Sequence, residues 1–144
     1  MSRQFFINLP VNDVEATTAF YAGLGFEFNP AFSGPDAACM VINDSSFAML
    51  LSRSRFADFT EGKPIADPTA ATGVLFALSA DSREDVDRTV AAAIAAGGTR
   101  HGEPQDHGFM YADAFTDLDG HGFQIMWMDP QAAADGPPDM AASA

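Results

Sequence analysis

Three histidines, His101, His107 and His121, fall in the C-terminal third of the chain beside Glu103, Asp106 and Asp119. Imidazole titrates near neutrality and ligates metals, so this group is the first place to seek acid–base or metal chemistry. The spacing demands no metal site. His121 follows the turn pair Asp119-Gly120 and reads as a solvated turn residue. His101, beside Glu103 and Pro104, reads as surface. His107 is the stronger candidate, because it precedes a strand, within Gln105 to Tyr111, and is placed to form a lip over a cavity. Asp106 tunes its basicity only if a turn brings the two side chains together, since strand neighbours point oppositely. Tyr111 adds a phenol donor. Two amides, Asn8 and Gln124, stand in otherwise apolar strands. Facing a hollow they would orient a carbonyl or amine; otherwise they satisfy backbone groups or each other. Nucleophile chemistry has no support: G-x-S-x-G is missing and Cys39 has no evident base. Gly23-Leu24-Gly25 closes a helix rather than opening one, so it forms no phosphate loop.

The elements that must position these residues come in duplicate. An apolar strand, Phe5 to Val11, runs into Asn12-Asp13, a helical stretch and Gly23-Leu24-Gly25. A second, Val74 to Leu78, runs into Asp81-Ser82, a helical stretch and Gly97-Gly98. Asn12 with Glu15, and Asp81 with Glu84, have the capping-box spacing that opens a helix. The two pairs share an offset of 69 positions, the mark of a duplicated unit. The first unit reads strand 4–11, helix 13–23, then strands near 25–30, 37–43 and 46–52. Val14, Thr17, Thr18, Tyr21 and Leu24 form its inward stripe, and Asn43 to Ser46 its hairpin turn. The second reads strand 73–79, helix 82–96, then strands near 99–103, 109–116 and 121–128, with Val86, Val90, Ala93 and Ile94 facing inward. Residues 53–72 form a linker, with one helical turn expected in Arg55 to Phe59. The small residues and adjacent prolines of 131–144 predict a flexible tail outside a single domain spanning 1–130.

The 144-residue length fits one core, and no apolar run is long enough to span a membrane. No secretory signal is expected, because Asn8, Pro10, Asn12 and Asp13 interrupt the first apolar stretch. A single cysteine permits no internal disulfide, which suits a cytoplasmic protein. Twenty acidic residues against seven basic give a net charge of −13, which disfavours nucleic acid and anionic membranes as partners. The same charge serves solubility, or attracts a cationic ligand.

The chain resembles the vicinal oxygen chelate superfamily, which contains glyoxalase I, bleomycin-resistance proteins and extradiol dioxygenases. LPVNDVEATTAFYAGLGFEF is similar to the family's V-x-D-L-x-x-S-x-x-F-Y-x-x-x-L-G-F, and FTDLDGHGFQIMWMD to its D-P-D-G-x-x-x-E-L. With the duplicated order of elements, the likeness covers about residues 4–129. It implies an α+β fold: two βαβββ repeats forming a curved mixed sheet around a cavity.

Enzymes of the superfamily hold one divalent metal with His and Glu from both repeats. Carried over residue by residue, those positions fall at Phe6, Met49 or Leu50, Leu75 and Gln124. Aromatic, thioether and aliphatic side chains supply no hard donor, and one amide is a weak ligand alone. The resemblance therefore implies a small-molecule binder with no metal cofactor. Its expected ligand-binding residues are Phe6, Asn8, Met49, Leu75, His107, Tyr111, Gln124 and Trp127. The competing expectation is a divalent-metal lyase, isomerase or dioxygenase with a rearranged site. A third is a homodimer without ligand, since many relatives pair two chains.

Overall fold

Alternation of apolar and polar side chains makes strands with two unlike faces, and the 3.6-residue repeat makes helices with one apolar stripe. A computed structural model describes residues 3–136 of the chain. The first repeat is β1 (Phe5–Val11), α1 (Val14–Gly23), β2 (Glu27–Phe28), a 3-10 turn (Pro30–Phe32), β3 (Ala37–Asn43) and β4 (Ser46–Ser52). The linker begins with α2 (Arg53–Ala57). The second repeat is β5 (Leu75–Ser79), α3 (Arg83–Ala95), β6 (Thr99–Arg100), β7 (Gln105–Asp106), β8 (Met110–Thr116) and β9 (Gly122–Met128), followed by α4 (Pro130–Asp135).

These elements form two open mixed sheets, ordered β1-β4-β3-β2 and β5-β9-β8-β6, with β7 pairing on β8. In each, the opening strand lies parallel to the closing one, Phe6 against Phe47 and Phe76 against Phe123. That parallel return is the shared topology of the repeats. Two short strands end earlier than expected: β2 stops before Pro30, and β6 before Gly102, whose φ is 79°, and Pro104.

Both helix starts lie one residue beyond the expected caps. Asp13 accepts from the amide of Ala16 at 3.0 Å, and Ser82 from that of Asp85 at 3.1 Å. The physical reason is visible in the first repeat, where the Asn12 amide is already bonded to Asp119 Oδ1 at 2.8 Å. On α1, Phe20 joins Thr17, Tyr21 and Leu24 in the core, a contribution the expected stripe lacked. On α3 the stripe is Val86, Thr89, Val90 and Ala93, whereas Ile94 is 38% exposed, rotated away from that line. The first residues of the expected tail are helical, in α4. Asp129 caps α4 by accepting from Gln131, and Ala132 is buried, while 137–144 lie outside the described residues.

One core serves both repeats. The α1 face of the first sheet (Leu9, Met40, Leu50) and the α3 face of the second (Phe115, Phe123, Ile125) pack with Phe20 and Tyr21 between them. Ring centroids lie 5.0 Å apart for Phe20–Tyr21, 6.1 Å for Phe20–Phe115 and 5.6 Å for Tyr21–Phe123. Such pairs add about 0.5–1.5 kcal/mol each beyond their burial.

Polar groups lock the same joint. Tyr21 donates to Asp117 Oδ2 at 2.5 Å, and Thr17 to Asp119 Oδ2 at 3.3 Å. The amides of Asp119 and His121 both donate to Asp117 Oδ1 at 2.9 Å. His121 is 8% exposed, with Nε2 at 2.9 Å from the Pro10 carbonyl, so it is a buried cross-repeat strut and not a solvated turn residue. Burial pushes Asp117 above the ordinary carboxyl range, and burial followed by the Asp117 charge pushes Tyr21 well above the ordinary phenol. Tyr21→Phe leaves Asp117 Oδ2 buried without its donor. We expect a loss of roughly 1–3 kcal/mol in urea unfolding at pH 7; an unchanged midpoint would show that the hydroxyl contributes nothing to the joint.

Candidate functional site

The faces not used by the core carry five of the expected ligand-binding residues, Phe6, Asn8, Met49, Leu75 and Gln124. On the first sheet, Phe6 stacks on Phe47 with centroids 4.9 Å apart, and Asn8 is the register partner of Met49. On the second, Leu75 is paired with Gly122, where an added Cβ would come within 2.9 Å of its Cδ2. Gln124 lies between Ala77 and Ala114, so small neighbours on both sides leave its carboxamide accessible. Neither sheet closes, and these faces are open in the single chain: Phe6 is 52% exposed and Leu75 47%. The structure thus places Phe6, Asn8 and Met49 on one outer face, and Leu75 and Gln124 on another. It does not gather all of them around one cavity within the chain.

The donor set on these faces does not fit a divalent ion. It consists of a phenyl ring, a thioether, an isobutyl group and neutral amides, none of which is a hard anionic donor. Leu50, the other residue at the expected position of the fourth strand, is fully buried in the core on the opposite face. No group of three or more His, Cys, Asp or Glu side chains able to hold a metal occurs among the described residues.

Tyr111 and Trp127 occupy the α3 side of the second sheet, not the outer face with Gln124. Their alternation with Asp113, Phe115, Phe123 and Ile125 carries this signal, since all six share one parity class within their strands. Arg83, in the first turn of α3, lies over both rings, 5.3 Å from the Tyr111 centroid and 5.1 Å from that of Trp127. Its guanidinium is held by Asp106 at 2.8 and 3.0 Å and by the Gly108 carbonyl at 2.9 Å. That bidentate pairing lowers Asp106 to about 2. Asp106 is therefore committed to Arg83 and does not serve His107. The exposed His107 sits in the turn before β8, its amide bonded to Met110 at 2.8 Å and its ring 6.3 Å from Phe109.

Two clefts border β1. The larger, about 1100 Å³, has Phe5, Ile7, Phe26, Phe76, Leu78 and Phe123 among its walls. The smaller, about 210 Å³, lies under the linker beside Asn8, Phe56 and His121. The sequence reading missed His121 and the two aspartates before it. Their signal is the run Asp117, Asp119, His121, acid and imidazole at alternate positions about a glycine turn.

A mixed α+β chain of two parallel-return repeats with open outer faces defines a fold class, and comparison with known proteins identifies it. The family described as Glyoxalase/Bleomycin resistance protein/Dioxygenase superfamily matches residues 3–125, and the chain belongs to it. A hypothetical protein from S. aureus superposes with a TM-score of 0.72 at 28% identity, over 88% of this chain and 93% of that one. A glyoxalase-related enzyme from Fulvimarina pelagi superposes with a TM-score of 0.73 at 19% identity, over 88% of each chain. A glyoxalase/bleomycin resistance protein/dioxygenase family enzyme from Burkholderia phytofirmans does so at 0.70 and 23% identity, over 88% and 99%. At 19% and 23% identity these last two show the fold alone. No functionally curated protein matches the chain in sequence. No helix among the described residues is long and apolar enough to cross a membrane.

The Tyr111 hydroxyl donates to Asp87 at 2.6 Å, and this bond, with burial and the Asp87 charge, raises its pKa to about 12. A folded-state pKa above the unfolded value gives stability that is present below pH ~10 and is lost as pH rises toward ~12. Absorbance titration of tyrosinate should show Tyr111 ionising near that upper value, and Asp87→Asn should bring it back toward 10. Titration of Tyr111 at its ordinary value in the unsubstituted protein would show that the Asp87 bond is not made.

Proposed function

We propose that this protein binds a small organic molecule on its outer faces, as a homodimer and without a metal. The carrying observation is the chemistry of those faces. Phe6, Phe47, Met49 and Leu75 offer hydrocarbon and sulfur, and Asn8 and Gln124 add two neutral amides. Apolar walls with a few polar groups are the usual make-up of a small-molecule site, in which the amides set orientation. The paired aromatic surface contributes on the order of 1 kcal/mol for each ring stacked on the ligand.

Dimerisation is supported by where the apolar surface is exposed. Phe5 and Phe6 on β1, and Val74 and Leu75 at β5, are all largely exposed, and both strands are sheet edges. An exposed apolar edge is a template for pairing with another chain. Pairing β1 of one copy with β5 of the other sets the first outer face of one chain beside the second outer face of its partner. A face that is half a cavity in one chain then becomes a whole one. The surplus of acidic side chains disfavours nucleic acid and anionic membranes and favours neutral or cationic ligands.

Three measurements test this reading. Sedimentation should give a dimer that Phe6→Glu combined with Leu75→Glu converts to monomer; a monomeric unsubstituted protein overturns the paired site. The neutral dye Nile red should bind saturably, with Met49→Glu weakening it at least tenfold. Calorimetric titration with nickel or zinc should show no stoichiometric binding until Phe6→His, Leu75→His and Gln124→Glu are combined. Tight stoichiometric binding by the unsubstituted chain would instead establish the metal-dependent lyase, isomerase or dioxygenase reading.

A further inference from the structure

We propose that the crevice beneath the linker is a second binding site, for a small planar ring bearing a single N–H or O–H donor. The crevice lies between the start of β9, β1 and residues 56–74 of the linker, and shares Asn8 with the first outer face. Phe56, Ile65, Pro68 and Phe76 supply apolar walls. Its volume is about 210 Å³. An engineered apolar cavity of about 150 Å³ holds benzene, so a single or small fused ring is the right size.

The donor requirement comes from His121. Its Nε2 lies 2.9 Å from the Pro10 carbonyl oxygen, which can only accept, so Nε2 carries the proton. A ring singly protonated on Nε2 keeps an acceptor lone pair on Nδ1. The His121 ring is bonded through Nε2, and no hydrogen bond reaches Nδ1 among the described residues. His121 is more than nine-tenths buried, yet no fully buried side-chain atom lacks a partner among the described residues. The free nitrogen therefore opens onto the crevice that His121 lines. A ligand N–H or O–H entering the crevice meets that accessible acceptor. Asn8 lines the same crevice.

The roof is held in place before any ligand arrives. An Asx turn fixes the linker, with the Thr69 amide and hydroxyl bonded to Asp67 Oδ1 at 2.9 and 2.7 Å. The same threonine rests on Gly120, where an added Cβ would meet Thr69 Cγ2 at 2.8 Å. With φ of 97°, Gly120 provides both the turn and the room for this close approach.

Indole and benzofuran, near-isosteres with and without the N–H, are the probes. Titrated into the full chain and followed by amide resonances of the linker, indole should bind saturably and at least tenfold more tightly than benzofuran. Ala71→Phe, which fills the crevice from the linker side, should abolish binding with little change in melting temperature. His121→Gln keeps a donor for the Pro10 carbonyl but removes the Nδ1 acceptor, and should reduce indole to the benzofuran level. Equal affinity for the two probes, retention of indole by Ala71→Phe, or no saturation up to the solubility of indole would each overturn the proposal. Should His121→Gln not fold, the probe ratio and Ala71→Phe still decide it. Met49 does not line the crevice, so Nile red binding and its loss in Met49→Glu report the outer faces and distinguish a failure there from a failure of the crevice.

Discussion

The structure depends on a buried polar joint between the repeats. Asp117 receives the Tyr21 hydroxyl and two turn amides, Asp119 holds the Asn12 amide and the Thr17 hydroxyl, and His121 reaches the Pro10 carbonyl. Two carboxylates inside a protein are costly unless every lone pair is engaged. Here each buried side-chain polar atom has a partner among the described residues. The geometry also explains why α1 serves two sheets at once. Its polar side chains are bound by the turn of the second repeat, while Phe20 and Tyr21 fill the core beneath.

Placing both helix faces inward has a direct consequence for the opposite faces. Strand alternation sends every second side chain away from that core, and on β1 and β5 those residues include Phe6, Asn8 and Leu75. The fold supplies the outer faces and the particular side chains decide their chemistry, which is why family membership alone names no activity. Hydrocarbon where an ion would require oxygen or imidazole nitrogen turns such a face toward dispersion and desolvation as its sources of binding.

The duplicated architecture was legible because each repeat carries its own local signals: an apolar strand, a cap, a helical stripe and a glycine stop. What escaped was set by contacts distant in sequence. The caps lie one residue late in the first repeat because the Asn12 amide is taken by Asp119, 107 positions away. His121 looked solvated because a glycine turn normally faces water, but its partner Pro10 arrives from 111 positions earlier. Tyr111 and Trp127 were readable from strand parity, since they alternate in step with Phe115, Phe123 and Ile125, which pack in the core. Arg83 over their rings was not readable, because the crossing of α3 over β8 and β9 follows from tertiary packing.

The parallel return of each repeat bears on how the chain acquires its form. β1 has no strand partner until Ser46–Ser52 has been synthesised, and Tyr21 waits a further stretch of chain for Asp117, 96 residues on. Local hairpins such as β3–β4 and β8–β9 close early, whereas the N-terminal strand must remain unpaired until they exist. During that interval Phe5 and Phe6 lie on an unpaired strand, and premature association with neighbouring chains competes with correct assembly.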